Sequence, residues 1–400
     1  MSTSAQPAAL PGSTRAKAAQ RAVAAYFLSN GVVMGAWVPH VPDRARELHL
    51  DAGSLGWTLL AAGLGAVLAM PLAGRLTGRL GSRAVTRIAG LAFPVMLSLV
   101  VLAPNVIVLT LALLGFGVAG STMDVSMNAQ GIAVEEQLGE RTISRLHGVW
   151  SIGSFTGAAI TSFLLSLHLP ASVIVLSFSA LVVATVLFAT PSLFTREEEG
   201  LHEQPHRLRP HGRLLMLGML AFVSMVSEGS IADWSGLYLR VVRGAGQGVS
   251  GYGYAAFAAL MVTGRLAGDR IVARFGEERT LLVGALLAVA GLGVVIGSGW
   301  AHAPGQLWWL LGFAVVGAGI ANSSPVIYRT AGRVPDVPAG AGIATAVGIG
   351  YAGLLAGPPG LGFVGKHAGL TSILVCVMAL CFVMAFTSRV VRGLTPRSAR

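Results

Sequence analysis

The sequence predicts an all-α membrane protein: twelve transmembrane helices in two six-helix bundles, with the N- and C-termini cytoplasmic. Three observations carry that expectation. The 400 residues are 54% hydrophobic and only 11% charged, against about 25% charged for an ordinary soluble domain. Twelve apolar stretches each approach the roughly 20 residues needed to cross about 30 Å of hydrocarbon. When successive loops are assigned to alternate faces, all of the 28 Lys and Arg fall on one side except Arg44, Arg46, Arg240, Arg243 and Lys366. Cytoplasmic loops retain positive charge, so that side is the cytoplasm. The net charge of +11 is then a topology signal and does not point to nucleic acid. An ordinary cytosolic enzyme is excluded as well, because so little polar surface cannot cover soluble cores of this size.

Taken in order, the first twenty residues are polar and carry Arg15 and Lys17. The apolar run after them is long and lacks a small-residue cleavage site, so the first helix is expected to be retained. Spans 22–39, 54–74, 88–104, 106–130, 148–168 and 171–190 make up the first bundle, residues 1–194. Residues 195–213 read as a cytoplasmic linker, since Glu197, Glu198, Glu199, Glu203, three histidines, Pro205 and Pro210 leave no apolar periodicity. The second bundle, 214–400, holds spans 214–239, 250–268, 280–300, 306–328, 339–362 and 368–389. The halves echo each other. Gly115-Phe116-Gly117-Val118-Ala119-Gly120-Ser121 in span 4 is matched about 200 positions later by Gly317-Ala318-Gly319-Ile320-Ala321-Asn322-Ser323 in span 10. Gly153 and Gly157 of span 5 are matched by Gly353 and Gly357 of span 11, as repeated bundles require. Pro358 and Pro359 should bend span 11. Cys376 and Cys381 lie five apart in the last span, on different helix faces, and read as packing residues rather than a disulfide or metal pair.

Three acids fall inside the spans: Asp124, Glu228 and Asp233. Each costs about 2.5–3.5 kcal/mol at mid-bilayer, so each must face a cavity, be paired or be protonated. Ser121, Asp124 and Asn128 share one face of span 4. Asp124 is a candidate for proton exchange as the cavity alternates between aqueous phases, with hydrogen bonding inside the bundle as the structural alternative. At about 1.5 Å per residue it sits about 27 Å along its helix, toward the cytoplasmic side. Glu228, about 21 Å into span 7, is the stronger candidate for a solute or proton ligand. Asp233, beside Trp234 near the outer end, could equally anchor the helix at the interface. No basic residue inside the spans is assigned to these acids. Trp150 and Tyr351 could stack on a ring, although core packing is the commoner role for such aromatics. His40 and His147 sit at helix ends, where capping accounts for them.

The loop after span 2 reads Gly74-Arg75-Leu76-Thr77-Gly78-Arg79-Leu80-Gly81-Ser82-Arg83. It resembles the G-x-L-a-D-R-x-G-R-R loop motif of the major facilitator superfamily, with Gly78 where the motif has aspartate. A second basic loop after span 8 contains Gly264-Arg265-Leu266-Ala267-Gly268-Asp269-Arg270, then Arg274-Phe275-Gly276, and its register on Asp269 or on Arg274 and Gly276 is open. The resemblance implies a cytoplasmic gate formed by Gly74, Arg79, Gly81, Arg83, Asp269 and Arg270. It also implies a cavity lined by helices 1, 4, 7 and 10, which nominates Asn30, Asn322, Ser323 and Ser324 as polar partners of the acids; hydrogen bonds between packed helices are the plainer role for each.

Within the superfamily, Trp37-Val38-Pro39-His40, Met123-Asp124-Val125-Ser126-Met127-Asn128 and Glu228-Gly229-Ser230-Ile231-Ala232-Asp233-Trp234-Ser235 resemble the rhizopine-associated inner-membrane proteins. Fucose-permease-like sugar–proton symporters are similar more distantly. The Gly353 to Gly360 run resembles the glycine–proline signature of drug antiporters, but it lies on helix 11, and Leu111 stands where those antiporters have arginine.

The implied function is a secondary active transporter in the cytoplasmic membrane. It would move a small organic solute, such as a sugar- or cyclitol-like polyol, by alternating access and with proton coupling. Proton-driven export of a metabolite or amphipathic compound is the alternative. A membrane enzyme or receptor is the remote third reading, as no H-E-x-x-H, G-x-S-x-G or phosphate-loop pattern occurs. No cofactor beyond the coupling proton is expected. The partners are the solute and the lipid bilayer, with the chain working as a monomer.

Overall fold

The computed structural model describes residues 11–140, 142–199, 212–298, 305–335, 337 and 339–392. The described chain is helical throughout, without a strand. The helices are α1 (Pro11–Trp37), α2 (Val41–Glu47), α3 (Ala52–Leu80), α4 (Ser82–Val101), α5 (Val106–Leu138), α6 (Ile143–Ser166), α7 (Ala171–Ala189) and α8 (Arg196–Glu199). They continue with α9 (Gly212–Val241), α10 (Tyr252–Phe275), α11 (Glu277–Gly297), α12 (Gly305–Ile320), α13 (Ser323–Ala331), α14 (Ala339–Ala368), α15 (Leu370–Thr387) and α16 (Arg389–Arg392).

Among the described residues, eleven segments are long and apolar enough to cross a membrane. The protein is therefore a multi-pass membrane protein. The other long helix is α10, whose second half carries Arg265, Asp269, Arg270 and Arg274 and is too polar to qualify on composition.

Local chemistry fixes the ends of these helices. Asp51 starts α3 by accepting the Ser54 N–H at 2.7 Å, and Asn105 starts α5 by accepting the Val108 N–H at 2.9 Å. Two glycines with left-handed backbone make the sharp turns: Gly81 between α3 and α4 (φ 81°) and Gly276 between α10 and α11 (φ 80°). Their equivalence sets the register of the second basic loop on Arg274 and Gly276. Predicted span 306–328 is divided into α12 and α13 at Ala321 and Asn322. Pro325 has no N–H to give the Ala321 carbonyl, which breaks the helical ladder there. By contrast, α14 continues as one helix through Pro358 and Pro359.

The repeated glycines have repeated packing partners. Gly117 of α5 lies against the Ala62 carbonyl of α3, and Gly317 of α12 lies against the Phe257 carbonyl of α10. Gly153 of α6 meets the Leu28 carbonyl of α1, and Gly353 of α14 meets the Phe222 carbonyl of α9. Lipid supplies no hydrophobic drive between helices, so close backbone approach of this kind is what holds them together. The first set, α1 and α3 to α7, packs internally in this way, as does the set from α9 to α15. Two main seams join the sets, α3 with α14 and α6 with α10.

The ends of the barrel-like assembly differ. At the end opposite the chain termini, here the distal end, Lys366 pairs with Asp51 at 3.1 Å and Arg240 with Asp43 at 3.7 Å, both across the seams. The close approaches of α3 to α14 lie in this half, where Gly56 meets the Pro358 carbonyl and Gly63 meets Leu355.

At the terminal end, the start of the expected linker is docked on the first set. Arg15 bonds Glu198 at 2.9 Å and the Ser192 and Leu193 carbonyls, and lies 5.1 Å from the Phe194 ring. Gln130 exchanges two hydrogen bonds of 2.9 Å with the Phe194 backbone. Residues 200–211 of the expected linker lie outside the described residues.

Two predictions follow from the packing. Gly117→Leu should lower the unfolding temperature of the solubilised protein by the equivalent of about 1–3 kcal/mol, because a side chain would strike the Ala62 backbone. Gly74→Ala should leave it unchanged or slightly raised, since nothing lies within 4 Å of that site; equal losses would contradict the packing.

Asp51 is held down to about 2 by the Ser54 backbone and hydroxyl bonds and by Lys366. A depressed carboxyl adds stability that is present above its unfolded value near 3.9 and is lost as pH falls through about 2. Thermal unfolding of Asp51→Asn should therefore show a deficit at neutral pH that closes as the medium is acidified toward pH 2.

Candidate functional site

The second set brings Glu228 on α9 to Arg265 on α10. One Arg265 nitrogen, Nη2, donates to both Glu228 oxygens at 3.0 and 3.2 Å. The other, Nη1, donates across the seam to Ser151 Oγ of α6 at 3.1 Å. The Arg265 side chain is 21% exposed and that of Glu228 26%, so the pair is neither dry nor free in solvent. A second bond crosses the same seam, between Ser154 Oγ and Tyr254 Oη at 3.0 Å. Trp150 completes the wall. Its indole N–H donates to Asn30 Oδ1 at 2.8 Å, and Asn30 in turn reaches the Gly120 carbonyl at 3.5 Å. Asn30 is thus buried as the support of Trp150, tying α1 to α5 and α6. The space enclosed by Trp150, Ser151, Ser154, Glu228, Tyr254 and Arg265 is about 10 Å³. That is room for about one water, against several hundred Å³ for a ligand pocket, so the site is collapsed on itself in this conformation.

Arg265 corrects the expectation that the buried acids have no basic partner. It had been grouped with the cytoplasmic loop, although it falls inside predicted span 250–268. That overlap was the available signal. A charged residue three-quarters of the way along a span is a fourth buried ionisable group and needs a counter-ion.

The other acids are placed differently. Asp124 is half-buried on α5, and Asn128 Nδ2 donates to its carboxylate at 3.1 Å and to its backbone carbonyl at 2.8 Å. Among the described residues Asp124 makes no ion pair. It faces Tyr351 of α14 closely enough to act on it electrostatically, and Tyr351 in turn feels Tyr328 of α13. Asp233 is half-buried farther along α9, acts on Tyr254, and likewise has no ion pair among the described residues. The Tyr328 hydroxyl is buried and unbonded, within the field of Glu228 and Arg265. Tyr254 and Tyr328 were not anticipated from the sequence, because a lone tyrosine in an apolar span carries no spacing signal.

The helix 10 residues serve the helix break. Asn322 donates to the Gly264 carbonyl of α10 at 3.1 Å, Ser323 is buried, and Ser324 meets Ser224 of α9 at 3.2 Å. At the terminal end, Arg79 is exposed, and neither it nor Arg83 forms an ion pair among the described residues. The Arg79 carbonyl instead accepts Arg196 of α8 at 2.6 Å, and Gly74 is open. In the second loop, Asp269 pairs with Arg329 at 2.8 Å inside its own helix set, and Arg270 is exposed. In this conformation the two loops hold their own sets and do not latch one set to the other.

The sequence profile of the Major Facilitator Superfamily matches residues 22–358. The chain belongs to this superfamily. An uncharacterised MFS-type transporter of Yersinia pestis is 37% identical over 367 residues, covering 92% of this chain and 94% of that protein. Membrane protein MosC of Rhizobium meliloti is 34% identical over 367 residues, covering 92% and 88%. In structure the chain resembles a mutant form of the nucleoside transporter NupG, with a TM-score of 0.77, 14% identity, and 93% and 99% of the two chains covered. That likeness is one of fold. Superfamily membership and the apolar helices together make this a multi-pass protein of the cytoplasmic membrane.

As a major facilitator protein, the chain keeps one ion pair beside the seam between its helix sets, and that pair can be tested by mutation. Glu228→Gln strands the Arg265 charge, and Arg265→Gln strands Glu228. Each is expected to lower stability by about 1–3 kcal/mol, below the roughly 3–5 kcal/mol of a fully buried pair because both groups reach some water. The double variant should recover much of the loss in thermal unfolding; purely additive losses would contradict the pairing.

Proposed function

We propose that the protein is a secondary active transporter that moves a small polar solute by alternating access and couples that movement to protons. In this reading there are twelve spans, with α10 as the eighth. Residues 1–194 and 214–400 form two bundles joined by 195–213, and the terminal end faces the cytoplasm. The single observation that carries the reading is the Glu228–Arg265 pair, partly wet at membrane depth and bonded to Ser151 across the seam. An ion pair kept there at a stability cost, at a boundary between helix sets, is what a solute and proton site demands. The distal ion pairs make this conformation the one closed on the outer side. The arginine-rich loops at the other end, left unlatched, support a cytoplasmic end able to part.

The solute class follows from the side chains around the pair. Ser151, Ser154, Tyr254 and Tyr328 offer hydroxyls, and Trp150 presents a ring edge fixed by Asn30. Hydroxyl-rich walls with one aromatic plate suit a sugar- or cyclitol-like polyol. Asp124, with Asn128, is the second proton-exchanging candidate on the opposite side of the seam.

The test begins with a thermal-shift screen of sugars, cyclitols, other polyols and hydrophobic cations on the solubilised protein, followed by uptake of the stabilising compound into proteoliposomes. A polyol should stabilise, and a pH gradient should drive its accumulation. Glu228→Gln or Asp124→Asn should cut that accumulation by at least about tenfold, the equivalent of about 1.4 kcal/mol. Gradient-driven accumulation unchanged in both variants would refute proton coupling through these acids, and stabilisation by hydrophobic cations alone would refute the polyol class.

A further inference from the structure

Arg265 is the one side chain at the site that holds a carboxylate of its own helix set and a hydroxyl of the other set at once. Its planar fork meets both Glu228 oxygens with Nη2 and leaves Nη1 for Ser151 on α6. Ser151 spends its own hydrogen on the His147 carbonyl at 3.0 Å, so toward Arg265 it can only accept. Around this bond the seam is tight. A side-chain carbon on Gly148 of α6 would come within 3.2 Å of Leu266 on α10, and the Ser154–Tyr254 bond lies alongside.

We propose that Arg265, docked on Ser151, is the positioning residue that ties the charge of Glu228 to closure of the α6–α10 seam. The proposal rests on the transport reading above and deepens it. While Glu228 is ionised, the guanidinium is neutralised and can sit in the closed seam. Once Glu228 is neutralised, Arg265 carries an uncompensated charge, which is strongly unfavourable away from water. The enclosed space of about 10 Å³ admits no hydration shell, so α6 and α10 must separate for water to reach the guanidinium. A lysine could not replace it, since a single ammonium lacks the rigid fork needed to hold the carboxylate and the hydroxyl together.

The ionisable groups around Glu228 are Arg265 and Tyr254 on α10 and Tyr328 on α13. His147 of α6 faces Arg265, and Asp233 on α9 itself faces Tyr254. His147 would titrate in the same pH window, so it is removed from the measurement.

The measurement is the distance between spin labels at Arg145→Cys on α6 and Ala273→Cys on α10. It is made on the full chain in liposomes, in a background lacking Cys376 and Cys381 and carrying His147→Gln. The proton is the only ligand added, between about pH 8 and about pH 5. The parent should move from a short to a long distance, by several ångström, as the medium is acidified. Glu228→Gln should give the long distance at both pH values, and Arg265→Lys should lose most of the pH response. Ser151→Ala keeps the ion pair and its fold, and should already populate the long distance at the higher pH.

A short distance with an intact pH response in Glu228→Gln would overturn the proposal. Should that variant not fold, a parent-like distribution in Ser151→Ala would overturn it instead. Because no solute is present, the outcomes are separable: a responsive seam with no solute ever transported refutes the transport reading, and solute transport with an unresponsive seam refutes this inference alone.

Discussion

An ionised side chain at hydrocarbon depth needs a partner or water, and the Glu228–Arg265 pair meets that need in a way that organises the structure around it. The pair explains why α10 is too polar to look like a membrane helix while packing among apolar neighbours. It also explains why Ser151 and Ser154, two small hydroxyls, occupy α6 where that helix meets α10. A fully apolar seam would pack more tightly and would be more stable, since buried ion pairs are rarely worth their desolvation. Keeping charge there makes sense only if the seam has to change.

The remainder of the molecule is built for rigid halves. Within each set, glycines let backbones touch: Gly153 on α1, Gly117 on α3, Gly317 on α10 and Gly353 on α9. These contacts have no polar substitute and no intermediate geometry, so each set moves as a body. Between the sets, a large share of the contacts is polar or confined to the distal half, as with Lys366 and Asp51 or Arg240 and Asp43. Polar contacts can be exchanged for water with little net change in free energy. A molecule with dry interiors and wet seams is predisposed to rock about those seams.

Much of this was legible in the sequence. Hydropathy located the spans, the glycine echo about 200 residues apart located the repeated packing, and the loop after span 2 pointed to the superfamily. The three acids stood out because charge inside apolar runs is costly. Arg265 did not, because a ledger that assigns basic residues to loops absorbs any arginine near a span end. The break at Asn322 was hidden because a hydropathy window averages across Pro325. Asn30 was read as facing the solute, yet its amide supports Trp150, a distinction that depends on which way a buried side chain turns. The role of Arg196 at the Arg79 carbonyl was beyond reach, since it joins a linker to a loop more than a hundred residues earlier.

The central claim is that the groups around Glu228 and Arg265 line a space that water enters from one membrane face and then from the other. The direct measurement is labelling of Ser151→Cys, in the absence of native cysteines, by a membrane-impermeant thiol reagent added to either face of sealed vesicles. The account predicts labelling from the cytoplasmic face in the conformation described here, and from the opposite face when the distal pairs Asp51–Lys366 and Asp43–Arg240 are removed by substitution. A thiol that stays unlabelled from both faces in every variant would contradict it.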